Sequence, residues 1–261
     1  MTQSLLIDTA DGVRTITLNR PERHNAFDDA VIAQLTDAFV VAGADADSRA
    51  VVLAATGKSF SAGGDLGWMR RMAEFGPEEN LADARALARL LAVIDGCPKP
   101  VIGVVQGAAY GGGVGLVSCC DMVVAAEGAS FCLSEVKLGL IPATIAPYVV
   151  RAMGARAARR YFATAETFDA AKALSFGLVH EVVATERLGE VRDAWLARLK
   201  ANGPAAIAAS KALLRRVGDE PLTDQLIEWT ATRIAELRAS PEGREGVRAF
   251  LEKRRPNWRK D

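Results

Sequence analysis

The chain has 261 residues, half of them hydrophobic, and 32 lysines and arginines balance 32 aspartates and glutamates. That length suits one well-developed core, with or without a small helical appendage. The zero formal charge gives no field for nucleic acid, and no apolar run reaches the ~20 residues of a membrane span. Cys97, Cys119, Cys120 and Cys132 form no C-x-x-C pair, and only His24 and His180 could supplement them, so a zinc site is not expected. Met1-Thr2-Gln3-Ser4 leads almost directly into strand-like sequence without a charged, cleavable leader, so the expected location is cytoplasmic and disulfides are not expected.

In chain order, Val13, Thr15 and Thr17 alternate with Ile16 and Leu18, which predicts an early strand between Asp11-Gly12 and Arg20-Pro21. Asp28 precedes a helix whose Val31, Ile32, Leu35 and Phe39 share one face. The pattern then predicts a strand over 50–55, helices over 66–71 and 78–94, and a strand over 101–105. A helix-like stretch over 116–120 and strands over 122–125 and 130–133 follow, then helical pieces over 147–152, 155–163 and 168–176. From Asn202-Gly203-Pro204 onward the chain reads as helices over 204–217 and 222–238 and one opened by Ser240-Pro241-Glu242, a sound cap, first position and first turn. The order predicts an α/β core over 1–200 carrying a helical region over 201–261.

Two glycine-bearing turns each join a strand to a helical segment. They are Lys58-Ser59-Phe60-Ser61-Ala62-Gly63-Gly64-Asp65-Leu66 and the run from Gln106 through Tyr110-Gly111-Gly112-Gly113 to Gly115. Such turns present unpaired N–H groups at the positive end of a helix. One alone is ordinary turn chemistry. Two together can each donate to one oxygen and so stabilise a developing negative charge.

The pair and its surroundings resemble the crotonase superfamily, the enoyl-CoA hydratases and isomerases. The matching segments are Leu18-Asn19-Arg20-Pro21-Glu22-Arg23-His24-Asn25-Ala26-Phe27, Phe60 to Leu66, Gly107 to Asp121, Ser134 to Pro142, Ala170 to Val183 and Glu245 to Leu251. The resemblance implies a ββα spiral core with a C-terminal helical trimerisation region, a homotrimer or dimer of trimers, and an acyl-CoA thioester substrate. No cofactor is implied, because coenzyme A is part of the substrate.

The resemblance assigns the oxyanion donors to the backbone N–H groups of Gly64 and Gly112 and the proton-moving carboxylate to Glu135. It places Arg23, Ala26, Ala62, Asp65, Leu66, Phe250 and Lys253 along coenzyme A, the last two reaching a neighbouring subunit. Where two-glutamate hydratases carry a second carboxylate this chain has Gly115, which puts the two-carboxylate scheme in doubt and keeps Δ3,Δ2-enoyl-CoA isomerisation open. Segments 107–121 and 140–150 look like bacterial methylglutaconyl-CoA and isohexenylglutaconyl-CoA hydratases of leucine and acyclic terpene breakdown. A distal carboxylate would then face Tyr110, Thr144 or Arg151, with Gly115 making room for the acyl group.

Other readings fit less well. Gly111-x-Gly113 continues to Leu116 where a dinucleotide fingerprint needs glycine, and no G-x-S-x-G is present. A catalytically silent or RNA-touching CoA-binding protein is the alternative of another class. The basic cluster from Lys253 to Lys260 reads equally as a solvated helix end or as a phosphate contact.

Overall fold

The computed structural model describes residues 3–259, without the side chain of Asp219. Met1, Thr2 and Lys260 lie outside the described residues. The strands are β1 (Leu5–Ala10), β2 (Val13–Leu18), β3 (Ala50–Ala55), β4 (Ser59–Ser61), β5 (Val101–Val105), β6 (Ala108–Tyr110), β7 (Met122–Ala126), β8 (Ser130–Cys132), β9 (Phe168–Asp169) and β10 (Glu181–Val183). The helices are α1 (Asp29–Ala44), α2 (Leu66–Met72), α3 (Pro77–Asp95), α4 (Gly112–Ser118), α5 (Ala146–Thr164), α6 (Ala170–Phe176), α7 (Leu188–Ala201), α8 (Pro204–Asp219), α9 (Asp224–Ala239) and α10 (Pro241–Leu251).

From β3 to β8, consecutive strands alternate between two sheets. A six-stranded sheet has the order β1-β2-β3-β5-β7-β10, and a four-stranded sheet has the order β4-β6-β8-β9. The pairs β3–β4, β5–β6 and β7–β8 each give one strand to each sheet before the chain turns helical. This repeat is the crotonase-like ββα spiral.

The large sheet is covered on both faces, so its central strands read as continuous apolar runs. Val51, Leu53, Val101, Val105, Val123 and Ala125 face the main core with α1 and α3. Ala50, Val52, Ile102, Val124 and Ala126 face Leu188, Val191, Trp195 and Leu196 of α7. Helix α1 follows its sequence pattern: Asp28 accepts from Val31 N at 3.0 Å as the cap, and Val31, Ile32, Leu35 and Phe39 are buried.

The pieces expected over 147–152 and 155–163 lie on either side of Gly154, whose φ 77° and ψ 149° break the helical path within α5. Two other expected elements are corrected. The segment 168–176 begins as β9, antiparallel to β8, and becomes helical only after Asp169 caps α6 by accepting from Lys172 N. The helix expected over 116–120 instead runs from Gly112 to Ser118. No helix among the described residues is long and apolar enough to cross a membrane.

Candidate active site

Strands β4, β6 and β8 are parallel neighbours, with Ser59 opposite Ala108 and Tyr110 opposite Cys132. The segments that leave their carboxyl ends therefore emerge side by side, about 5 Å apart per strand. Gly63 and Gly64 follow β4, Gly111 and Gly112 follow β6, and Glu135 follows β8. A Cβ built on Gly63 would lie 2.8 Å from Tyr110 O and 3.4 Å from Gly112 N, so the first two turns touch. Gly111 turns the chain at φ 50°, ψ −120°, and its N–H donates to Cys132 O at 2.8 Å, joining the second turn to the third strand.

Phe27 N donates to Gly63 O and Asp65 N donates to Phe27 O, both at 2.9 Å. This parallel bridge between Phe27 and Gly64 leaves the N–H of Gly64 pointing away from Phe27 with no acceptor among the described residues. Gly112 is the first residue of α4, where an N–H has no partner in its own helix. Both glycines are half-buried, whereas Gly63 and Gly113 beside them are buried.

Glu135 opens a 3₁₀ turn, Glu135–Leu138, and its Oε1 lies 3.3 Å from where a Gly111 Cβ would sit. Oε2 is buried without a hydrogen-bond partner among the described residues. Burial raises the Glu135 pKa above the ordinary carboxylate range, opposed by a bond from its own backbone N–H. The carboxyl group can therefore exchange a proton more readily near neutrality than an exposed glutamate.

Arg23, Ala26, Ala62, Asp65 and Leu66 line one open cavity of about 520 Å³ together with Gly64. Asp65 is a wall by position only. Its Oδ1 accepts from Gly67 N at 2.8 Å and Trp68 N at 3.3 Å, and its Oδ2 accepts from Arg23 at 2.9 Å and Arg20 at 3.2 Å. Burial opposes its ionisation, but those bonds and the Arg20 charge outweigh it and lower the pKa. Asp65, 4 % exposed, thus has its carboxylate engaged as a helix cap and an arginine anchor. Phe250 and Lys253 are exposed at the end of α10 and are not walls of this cavity within one chain.

The positions expected at the acyl end separate. Tyr110 Oη is within 3.2 Å of Ser130 Oγ. Thr144 is half-buried, and its hydroxyl makes no hydrogen bond to another described residue. Arg151 pairs with Asp95 at 3.1 Å in a different cavity, lined also by Cys119, Cys120 and His180 at the far end of α4. It is therefore set aside for a distal carboxylate.

Gly115 also departs from its expected role. A Cβ there would meet Ile145 Cγ2 at 2.3 Å and Cβ at 2.9 Å, so the space expected for an acyl branch is filled by the chain itself. Gly115→Ala should cost about 1–3 kcal/mol of overpacking. Chemical denaturation of this variant with and without Ile145→Ala checks the contact: the second substitution should restore part of the loss, and additive losses would show that Ile145 is not the obstruction.

Arg20, within the matching segment 18–27, joins two helix starts. Its side chain, 12 % exposed, donates to Ala26 O at 2.9 Å, Asp28 Oδ2 at 3.1 Å and Asp65 Oδ2 at 3.2 Å. Its one sequence signal is an arginine followed by capping aspartates at 28 and 65, which does not reveal the pairing.

Residues 8–261 match the pattern of the enoyl-CoA hydratase/isomerase family. The crystal structure of an enoyl-CoA hydratase from Shewanella pealeana superposes with a TM-score of 0.95 at 46% identity, covering 98% of this chain and 96% of that one. Enoyl-CoA hydratase ACTT6 of Alternaria alternata is 39% identical over 78% of this chain and 67% of its own length. The trans-2-decenoyl-[acyl-carrier-protein] isomerase of Streptococcus mutans is 30% identical over 98% of both chains.

Proposed function

Since the chain belongs to the enoyl-CoA hydratase/isomerase family, we propose that it hydrates the α,β double bond of a CoA thioester with a branched or carboxylated acyl group of the methylglutaconyl type. The observation that carries this reading is one half-buried carboxyl group, Glu135, with an unpartnered buried oxygen near two glycine N–H groups that have no acceptor among the described residues. The thioester oxygen sits between the N–H groups of Gly64 and Gly112. Glu135 as carboxylate takes a proton from water while the water oxygen bonds to Cβ and the C=C electron pair moves through Cα to the thioester oxygen. The enolate then collapses, and the protonated Glu135 returns its proton to Cα. One carboxyl group suffices because the proton it takes is the proton it gives, with both delivered on one face.

The acyl class rests on the resemblance of segments 107–121 and 140–150, and the unengaged Thr144 hydroxyl is the group best suited to a distal carboxylate. A second reading, Δ3,Δ2-enoyl-CoA isomerisation, is favoured by Gly115 at the position where the resemblance puts the second carboxylate of two-glutamate hydratases. The same Glu135 would then carry a proton between two carbons. A panel of 2-enoyl-, 3-enoyl- and methylglutaconyl-CoA substrates separates the readings by product mass: hydration adds one water and isomerisation adds none. Conversion of 3-enoyl-CoA alone would overturn the hydratase reading.

The proposal extends to a homotrimer or dimer of trimers with coenzyme A near a subunit boundary. On α10, Val247, Phe250 and Leu251 are 60 %, 82 % and 72 % exposed, an apolar face that a single chain leaves in water. The basic end is partly committed already, since Arg254 pairs with Glu245 and Glu252. Lys253→Glu should raise KM for CoA thioesters about fivefold, the effect of one ~1 kcal/mol surface contact, more so at low salt and with kcat unchanged. A monomer by light scattering at micromolar concentration would remove the assembly, and an unchanged KM would remove the phosphate contact.

A further inference from the structure

We propose that Phe27 is a positioning residue whose length sets the separation between the two oxyanion donors, an inference that rests on the hydratase/isomerase reading of the site. Phe27 meets both donor segments, each through a different part of itself. Its backbone forms the bridge that orients Gly64, through bonds of 2.9 Å to Gly63 O and from Asp65 N. Its ring reaches the other turn: a Cβ on Gly112 would fall 2.5 Å from Phe27 Cζ and within 3.4 Å of both Cε atoms. The ring tip therefore lies directly on Gly112 Cα.

A spacer must be fixed at both ends. At the backbone end, Arg20 holds the residues on either side of Phe27, through Ala26 O and the Asp28 carboxylate, and it also holds Asp65 next to Gly64. Asn25, 2 % exposed, adds bonds to Thr56 O and Ser59 O at 2.7 and 2.8 Å, and Ser61 Oγ donates to Asn25 O at 2.9 Å. The segment before Phe27 is thus stitched to β4 and the loop leading into it. At the ring end, Phe27 is 1 % exposed and its centroid lies 6.5 Å from that of Trp68. In a close-packed core such a ring has one place to be.

The chemistry requires this rigidity. Two donors stabilise an enolate oxygen only if both are aimed at the same point before charge develops, since donors that must move spend the energy they would contribute. A shorter side chain at 27 lets the α4 turn settle toward β4 and misaims one donor. The walls at Arg23, Ala62 and Leu66 are untouched by this change, so ground-state binding of the CoA portion is kept.

The test combines kinetics with the carbonyl stretch of a bound conjugated enoyl-CoA, because hydrogen bonds to a thioester oxygen lower its stretching frequency. Infrared spectra are recorded in Glu135→Gln, which holds the ligand without turnover, with and without Phe27→Leu. Phe27→Leu alone should lose about tenfold or more in kcat, keep KM within about twofold, retain the acidic limb of the pH profile set by Glu135, and halve the carbonyl shift in the Glu135→Gln background. Phe27→Met, which restores length, should recover most of the rate. Arg20→Lys, which keeps charge but loses the forked contact, should reproduce the reduced shift and serves if Phe27→Leu does not fold. A full carbonyl shift and native kcat in folded Phe27→Leu, or a full shift in Arg20→Lys, would overturn the spacer role. No shift at all with Phe27 intact would instead overturn the oxyanion reading beneath it.

Discussion

Glu135→Gln should lower kcat by about 10²–10⁴-fold, the usual worth of a positioned acid–base group, while binding of a CoA thioester stays near native. The amide keeps the shape of the side chain but cannot take a proton from water or return one to carbon. Since burial raises the pKa of Glu135, the acidic limb of the native kcat/KM profile should lie above the ordinary carboxylate range, and the variant should lack it. The same shift has a consequence for stability. A carboxyl group whose folded pKa is raised binds its proton more tightly in the folded chain. Its contribution is therefore intact below the unfolded pKa and falls as pH rises from there through the folded value. At pH 7 Glu135→Gln should melt higher than the native protein, and at pH 4 the gap should close. Near-native turnover in the variant, or a lower melting temperature at pH 7, would remove Glu135 from its role.

Gly112→Ala should be the more damaging of two glycine substitutions that look alike on paper. Its new methyl would lie 2.5 Å from the buried Phe27 ring, so the turn must shift, at a cost of about 1–3 kcal/mol in stability. The N–H is still present but displaced, and kcat should fall by about 10²-fold, approaching the loss of one oxyanion donor. Gly64→Ala would place its methyl 3.4–3.7 Å from Trp68 and Met69, which is ordinary contact, and its stability should change by less than about 1 kcal/mol. Parallel denaturation curves and steady-state kinetics check this. Equal effects at the two positions would show that Phe27 does not confine Gly112.

The elements legible in the sequence were those with a long or pure pattern. Helix α1 shows a single buried stripe after a capping aspartate, and β3, β5 and β7 are apolar throughout because both sheet faces are covered. Strands β4 and β6 were hidden because each lies inside one of the two glycine-bearing segments, where the glycine pattern reads as turn. Helix α7 does not stand out in the sequence although Leu188, Val191, Trp195 and Leu196 carry a helical stripe, since the charged residues between them mask it. At the site, the positions of Gly64, Gly112 and Glu135 were readable by resemblance, but the reasons for particular residues were not. Gly112 lacks a side chain because of Phe27, and Gly115 because of Ile145. Both are contacts between segments far apart in sequence, which no local pattern can express. Asp65 is buried under two arginines for the same kind of reason.

The placement of β4, β6 and β8 as adjacent parallel strands also bears on how this site can be altered. Each of the three groups ends a separate turn of the spiral, and no two share a loop. In the proposed reaction the enolate-stabilising pair belongs to the first two turns and the proton carrier to the third, so that reaction could be re-specified by rewriting the short stretch after β8 while the two glycine turns are inherited unchanged. The same separation carries a liability during synthesis. The two glycine turns can meet once the second has formed, but the carboxyl group joins them only when the third turn has left the ribosome and docked, so a chain stopped before residue 135 would hold two correct turns and no proton carrier.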